Sequence, residues 1–221
     1  MANRNTEIKT LSVVLAGSFN PQIFHPSWFA LNNIIKPSEA EDSEIKVVHP
    51  DITSFSLGGW LDLEVTRNKF IMVTNHEAYY EVLRDIVENT FKLLYHTPIT
   101  AMGINLNEHI RFANEERLDR FFDIISPQKT WKEIFKSPST RSLTISDEKK
   151  GDYFPGSINV VIEPSVKIDP TTSISIMIND HYDFGSEKEN QKNAKSVMKV
   201  TKDWKGSYDK LDSIIDKIYN I

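Results

Sequence analysis

The densest group of residues able to do chemistry lies in the run NDHYD, residues 179–183. Imidazole and carboxylate side chains can ligate a divalent metal or transfer a proton, so Asp180, His181 and Asp183 are the candidate metal ligands. The run follows a predicted strand that ends at Asn179, and Asn and Asp are common turn residues at such a place. The sequence therefore favours a turn and assigns no catalytic residue, no metal and no cofactor.

Other acidic and histidine residues have ordinary structural interpretations. Asp62 and Glu64 alternate with apolar residues, which is typical of the solvated face of a strand. A metal-dependent hydrolase would need a third ligand at a recognisable spacing beside them. The chain also contains no Gly-rich phosphate loop, no zinc-protease helix motif, no nucleophile elbow and no calcium loop.

Lysines recur along the predicted last helix, opposite its apolar stripe. Lys195, Lys199 and Lys202 fall on the side away from Val197 and Trp204. This basic strip is a candidate contact for nucleic acid or an acidic partner. The alternative is a solvated helix face, which an amphipathic helix requires.

A second candidate binding residue is Trp131, within residues 130–136. This segment is predicted to form one or two extra helical turns, with Trp131, Ile134 and Phe135 as apolar anchors. It has no counterpart in the first half of the chain. We therefore expect any functional surface where the two halves of the chain meet or differ, which includes this segment and the Lys-rich last helix.

Composition limits the classes of protein that this chain can be. It has 221 residues, a formal charge of −5 and no cysteine, which excludes disulfides, thiolate metal sites and cysteine nucleophiles. The acidic balance makes nucleic acid an unexpected partner. No apolar run is long enough for a membrane span, and the polar first nine residues resemble neither a signal peptide nor a structured element. The sequence predicts a cytoplasmic location.

The elements follow from hydrophobic periodicity and from turn residues. We expect helices at 26–35, 75–96, 115–125 and 193–219, and strands at 11–19, 45–48, 54–65, 70–74, 101–106, 141–146, 157–163 and 173–179. Residues 37–44 are an expected acidic loop. Gly58 and Gly59 are an expected bulge or sharp bend inside the long strand 54–65.

The order of these elements repeats. Residues 1–98 and 99–221 each give the order β-α-β-β-β-α, with the stretch 10–35 resembling 100–125. Neither half can close its own sheet edges, so we expect the two to pack as one globular unit. The predicted fold class is α+β, an antiparallel sheet with helices on one face, built from two pseudo-repeats. The order resembles a duplicated helix-grip or TATA-binding-protein-like unit.

The strand Gly103–Asn107, with its Ile104-Asn105 pair, the late long strands and the terminal Trp/Tyr helix, carries a further resemblance. These features resemble a sporadically distributed, uncharacterised bacterial family whose members typically have R-Y-I-N in that strand. Met102 stands in the place of the expected Arg. The resemblance implies a bacterial accessory protein in a multi-protein assembly, such as an antiviral defence system.

Three functions are compatible with the residues. The favoured one is a non-enzymatic protein-binding or scaffold subunit whose partner is another protein or a second copy of itself. One alternative is a small-ligand-binding protein with a cavity between the sheet and a long helix. The other is a metal-dependent hydrolase or nuclease that uses Asp180, His181 and Asp183.

Overall fold

A computed structural model describes residues 4–150, 154–185 and 193–221, and side chains within them except those of residues 149, 150, 193 and 194. These residues form one nine-stranded sheet, in the order β2-β3-β4-β5-β1-β6-β9-β8-β7. The strands are β1 (Asn5–Gly17), β2 (Glu44–His49), β3 (Ile52–Leu57), β4 (Leu61–Thr66), β5 (Lys69–Thr74), β6 (Ile99–Arg111), β7 (Leu143–Lys150), β8 (Pro155–Pro164) and β9 (Ser173–Asp183).

Seven α-helices accompany the sheet in the described parts of the chain. They are α1 (Pro26–Leu31), α2 (Pro37–Glu41), α3 (Tyr80–Leu93), α4 (Glu115–Ile125), α5 (Lys129–Lys132), α6 (Asn193–Thr201) and α7 (Trp204–Tyr219). None of them is both long enough and apolar enough to cross a membrane. The predicted boundaries of α4 agree with those observed.

The centre of the sheet is the antiparallel pair β1 and β6. Leu11, Val13 and Leu15 of β1 are fully buried, while the residues between them are half-buried. Every strand pair in the described sheet is antiparallel. The α+β class and the antiparallel sheet predicted from the sequence are therefore confirmed.

Helices cover the face of the sheet that carries Leu11 and Leu106. Helix α3 contacts β5, α6 contacts β6, and α7 contacts β6 and β9. The predicted stripe of the last helices is largely confirmed, because Val197, Trp204 and Leu211 are all buried. The opposite face of the sheet carries the half-buried side chains.

The first residues correct an expectation, because the segment predicted to be loose begins strand β1 at Asn5. Arg4 and Lys9 form ion pairs with the buried Glu108, and these bonds hold the segment against β6. Hydrophobic periodicity does not predict such a strand, since most of its side chains are polar or charged.

The segment predicted as one long strand from 54 to 65 is instead a hairpin of β3 and β4. Gly58 and Gly59 have φ values of 51° and 71°. Two consecutive positive φ values are what a type I′ turn requires, and that turn reverses the chain completely. The Gly pair therefore makes a full turn rather than a bend.

Other boundaries also differ from the prediction. The segment predicted as an acidic loop contains helix α2. Helix α1 ends at Leu31 instead of residue 35, and the Leu31 side chain is 82% exposed whereas Phe29 is buried. A 3-10 turn at Glu77–Tyr79 precedes α3, so that helix begins at Tyr80. The predicted last helix is broken between α6, which ends at Thr201, and α7, which begins at Trp204.

Candidate protein-binding surface

Three apolar side chains project from the segment after α4, and we call Trp131, Ile134 and Phe135 the aromatic surface. Their exposed fractions are 48%, 64% and 56%. The Phe135 amide donates to the Trp131 carbonyl at 2.8 Å, which places both side chains on one side of the turn. The two rings stack with centroids 6.5 Å apart and planes inclined by 24°. The sequence predicts these residues as anchors within the protein, but they face solvent.

A surface depression lies beside the aromatic surface, with a volume of about 460 Å³. Trp131 and Phe135 line it together with residues 138–142, which include Arg141. A second depression of about 420 Å³ shares residues Gln128, Pro138, Ser139 and Thr140 with the first. We call the two together the Trp131 groove.

Hydrogen bonds fix the middle of the Trp131 groove. Gln128 Nε2 donates to Thr140 Oγ1 at 2.8 Å and to the Ser126 carbonyl at 2.8 Å. Thr140 Oγ1 donates in turn to Ser126 Oγ at 3.0 Å. These bonds tie the end of α4 to the segment before β7, so the groove is formed before any partner binds.

The two ends of the Trp131 groove carry opposite charge. Arg141 lines the end beside Phe135. Glu115, Asp119 and Asp123, together with Lys132, line the other end. Between residues 129 and 141 the chain has four basic residues and one acidic residue, although the whole protein is acidic.

The three candidate lysines lie on and after α6, away from the lining of the groove. Lys195 Nζ lies 6.0 Å from the centroid of the Tyr95 ring, and Lys199 Nζ lies 6.0 Å from that of Phe154. These two lysines thus pack over rings of the protein itself, whereas Lys202 is exposed after the end of the helix. The basic strip remains a prediction as a binding surface.

The candidate metal ligands lie inside β9 rather than in a turn. Asp180 is 2% exposed and accepts a hydrogen bond from Tyr182 Oη at 2.7 Å on the helix-covered face. His181 and Asp183 point to the other face, because successive residues of a strand alternate. The structure therefore does not bring the three together, and the described residues hold no group of three or more acidic or histidine side chains that could hold a metal.

The uncovered face of the sheet is polar around the β1–β6–β9 centre. Asn105 Nδ2 donates to Ser12 Oγ at 3.2 Å, and Asn179 Nδ2 donates to Asn105 Oδ1. Asn107 lies in β6 and accepts from Ser175 Oγ at 3.0 Å. These side chains therefore bind one another across the central strands.

An ionic cluster under α7 was not predicted from the sequence. Glu108 is fully buried and binds the Arg4 guanidinium through both oxygens, at 2.9 and 3.1 Å. Lys9 Nζ lies 3.3 Å from Glu108 and 2.7 Å from Asp212. A usable signal was present, since Glu108 continues the buried alternation of Ile104 and Leu106. Trp131 was predicted as a binding residue, whereas residues 138–142 beside it gave no signal, because they lie outside any helix or strand.

No family model matches this chain, and no curated protein matches it either. The geometry of the described residues is therefore the basis for assigning a function.

Proposed function

We propose that this protein is a non-enzymatic binding subunit of a multi-protein assembly and that it engages a protein partner through the aromatic surface. The observation that supports this most is the exposure of Trp131, Ile134 and Phe135 side by side. Contiguous exposed apolar groups of this kind are typical of interaction sites in soluble proteins. Tryptophan is also among the residues enriched at the energetic centres of protein interfaces.

The energetics favour a protein partner. Burying one large apolar side chain releases about 1.5–3 kcal/mol relative to leaving it in water. Trp131, Ile134 and Phe135 are each about half exposed, so a partner that covers them gains a substantial part of that energy at one place. The fixed backbone of the Trp131 groove lowers the entropic cost of binding.

The predicted duplication is part of the same proposal. Strands β1 and β6 lie side by side at the centre, each at the inner end of its own half of the sheet order. The strands after each of them run to one edge of the sheet, as β5-β4-β3-β2 and as β9-β8-β7. We infer two related units, of which the second carries α5 and the aromatic surface between its helix α4 and strand β7.

Site-specific photo-crosslinking in cells that make the protein tests the proposal. A photoreactive residue at position 132, beside Trp131, is expected to give a discrete crosslinked band with a protein partner or with a second copy. Trp131→Ala combined with Phe135→Ala is expected to remove the band, because the apolar contact is lost. Light scattering of the purified protein then separates self-association from binding of another protein.

A matched control uses the same photoreactive residue at position 166, where the native Val166 is 85% exposed. The proposal is wrong if position 132 gives no more crosslinked product than position 166 and the purified protein stays monomeric.

A further inference from the structure

The two depressions of the Trp131 groove differ in charge, so a bound chain can be oriented along the groove. This inference rests on the proposed function of the aromatic surface. Its two depressions share four lining residues, so they adjoin each other on the surface. Arg141 lines one depression, while three acidic residues and one lysine, Glu115, Asp119, Asp123 and Lys132, give the other a net negative charge. A bound chain whose charges run the opposite way would meet like charges at both ends, which disfavours that orientation.

The middle of the groove offers hydrogen bonds to a peptide backbone. Gln128 Nε2 is occupied by Ser126 and Thr140, whereas Gln128 Oε1 accepts no hydrogen bond from the described residues. An extended segment has free backbone N–H groups that need acceptors, while a helix has satisfied most of its own. The half-buried amide between the two depressions therefore suits an extended chain.

We propose that the Trp131 groove binds an extended segment of a partner protein in one orientation. An apolar side chain of the segment packs on Trp131 and Phe135, an acidic residue on one side of it pairs with Arg141, and a basic residue on the other side faces Glu115 and Asp119. The recognised chemistry is thus acidic, apolar and basic in sequence along one short stretch.

Selection of short random peptides displayed against the full chain tests this. The enriched peptides are expected to carry an aromatic or branched apolar residue between an acidic and a basic residue, always in one order. Synthetic versions are then titrated against the protein and its variants. Trp131→Ala is expected to weaken binding by about tenfold or more, as truncation of a central interface residue does.

Charge reversal distinguishes oriented binding in the groove from non-specific binding to its apolar side chains. Arg141→Glu is expected to weaken binding of the selected peptide and to strengthen binding of a version whose acidic residue is replaced by lysine. Leu31→Ala on α1 and Lys69→Glu on β5, at exposed positions away from the groove, are the controls and leave binding unchanged. Circular dichroism confirms that each variant is folded.

Three results overturn the inference: no peptide is enriched, the enriched peptides bind Trp131→Ala as tightly as the native protein, or their charges show no fixed order. A dimer that depends on Trp131 overturns it too, because a second copy would then occupy the groove. If crosslinking finds a partner at position 132 but the peptides show no order, the oriented groove is wrong while the proposed function stands. Ordered peptides without any crosslinked partner would instead support the oriented groove and contradict the proposed function.

Discussion

The Glu108 carboxylate is fully buried between β1 and α7, where Arg4 and Lys9 form ion pairs with it. A charge removed from water is tolerated only where opposite charges and hydrogen bonds replace its hydration. Arg4 supplies two hydrogen bonds, and Thr6 Oγ1 donates a third at 2.9 Å. The charged residues at the start of the chain therefore have a structural role.

Replacing this carboxylate is expected to destabilise the fold. Glu108→Gln removes the negative charge and leaves the largely buried guanidinium of Arg4 without its main partner, so we expect a loss of about 3 kcal/mol in the free energy of unfolding. Urea unfolding monitored by circular dichroism measures it. The control Glu116→Gln alters an exposed helix pair and is expected to change stability by less than about 0.5 kcal/mol. Equal effects of the two variants would contradict the structural role of Glu108.

The ionic cluster also makes stability depend on pH. Burial disfavours the Asp212 carboxylate, but the hydrogen bond from Lys9 and the charges of Lys9 and Arg4 outweigh burial and lower the pKa of Asp212. A group whose folded pKa is lowered stabilises the fold above its unfolded pKa, about 3.9 for Asp, and this stability is lost as the pH falls through the folded pKa.

We therefore expect the free energy of unfolding to fall as the pH drops from about 5 toward 2, with a shallower fall in Asp212→Asn. Urea unfolding at a series of pH values measures both slopes. Asp209→Asn, at an exposed position of the same helix, is the control and should keep the native slope. An unchanged slope in Asp212→Asn would show that Asp212 does not contribute to the pH dependence of stability.

At the scale of elements, turns decide how many strands the sheet has. The hairpin of β3 and β4 depends on Gly58 and Gly59, whose positive φ values reverse the chain. A Cβ at Gly58 would also lie 3.1 Å from the Trp60 ring. Without this reversal, β2 and β3 could not extend the sheet beyond β4.

Substitution of Gly58 is expected to lower the stability of the fold by an amount that depends on the new side chain. Gly58→Ala places a Cβ in the left-handed region and is expected to cost about 1–2 kcal/mol. Gly58→Asn is the matched control, with a smaller expected cost, because Asn tolerates positive φ. Thermal unfolding of both variants measures the difference. If the two cost the same, crowding against Trp60 rather than backbone conformation controls the turn.

At the scale of the whole molecule, the sheet has a protected centre and two different edges. Strands β1 and β6 have neighbours on both sides, whereas β2 and β7 are the outermost strands. Strand β2 is mostly exposed and carries a register shift between Ile45 and Val47. Such bulges are one way in which natural sheets discourage pairing with further strands at an edge.

Hydrogen exchange should follow this arrangement. We expect the amides of β1 and β6 to exchange most slowly and those of β2 to exchange early, because local opening begins where few buried contacts hold an element. Mass spectrometry of peptic peptides measures the order. Protection of residues 5–9 equal to that of residues 11–15 would support ionic ordering of the first part of β1, whereas rapid exchange confined to 5–9 would contradict it.

The amino-acid sequence by itself determined the elements whose buried side follows a simple period. The alternation of Leu11, Val13 and Leu15 predicts a strand, and the apolar stripe from Val197 to Ile218 predicts which side of the last helical segment is buried. The α+β class follows from these patterns, because period and turn residues are local properties of the chain. The boundaries of α4 were also predictable.

Only the tertiary structure decided which residues meet across the chain. The ionic cluster joins Arg4, Glu108 and Asp212, which are more than a hundred residues apart, so no local pattern links them. Tertiary packing likewise separated Asp180 from His181 and left Trp131 exposed where an apolar anchor was expected. The Trp131 groove belongs to this second class, since no periodicity predicts how α4, α5 and the segment before β7 come together to line it.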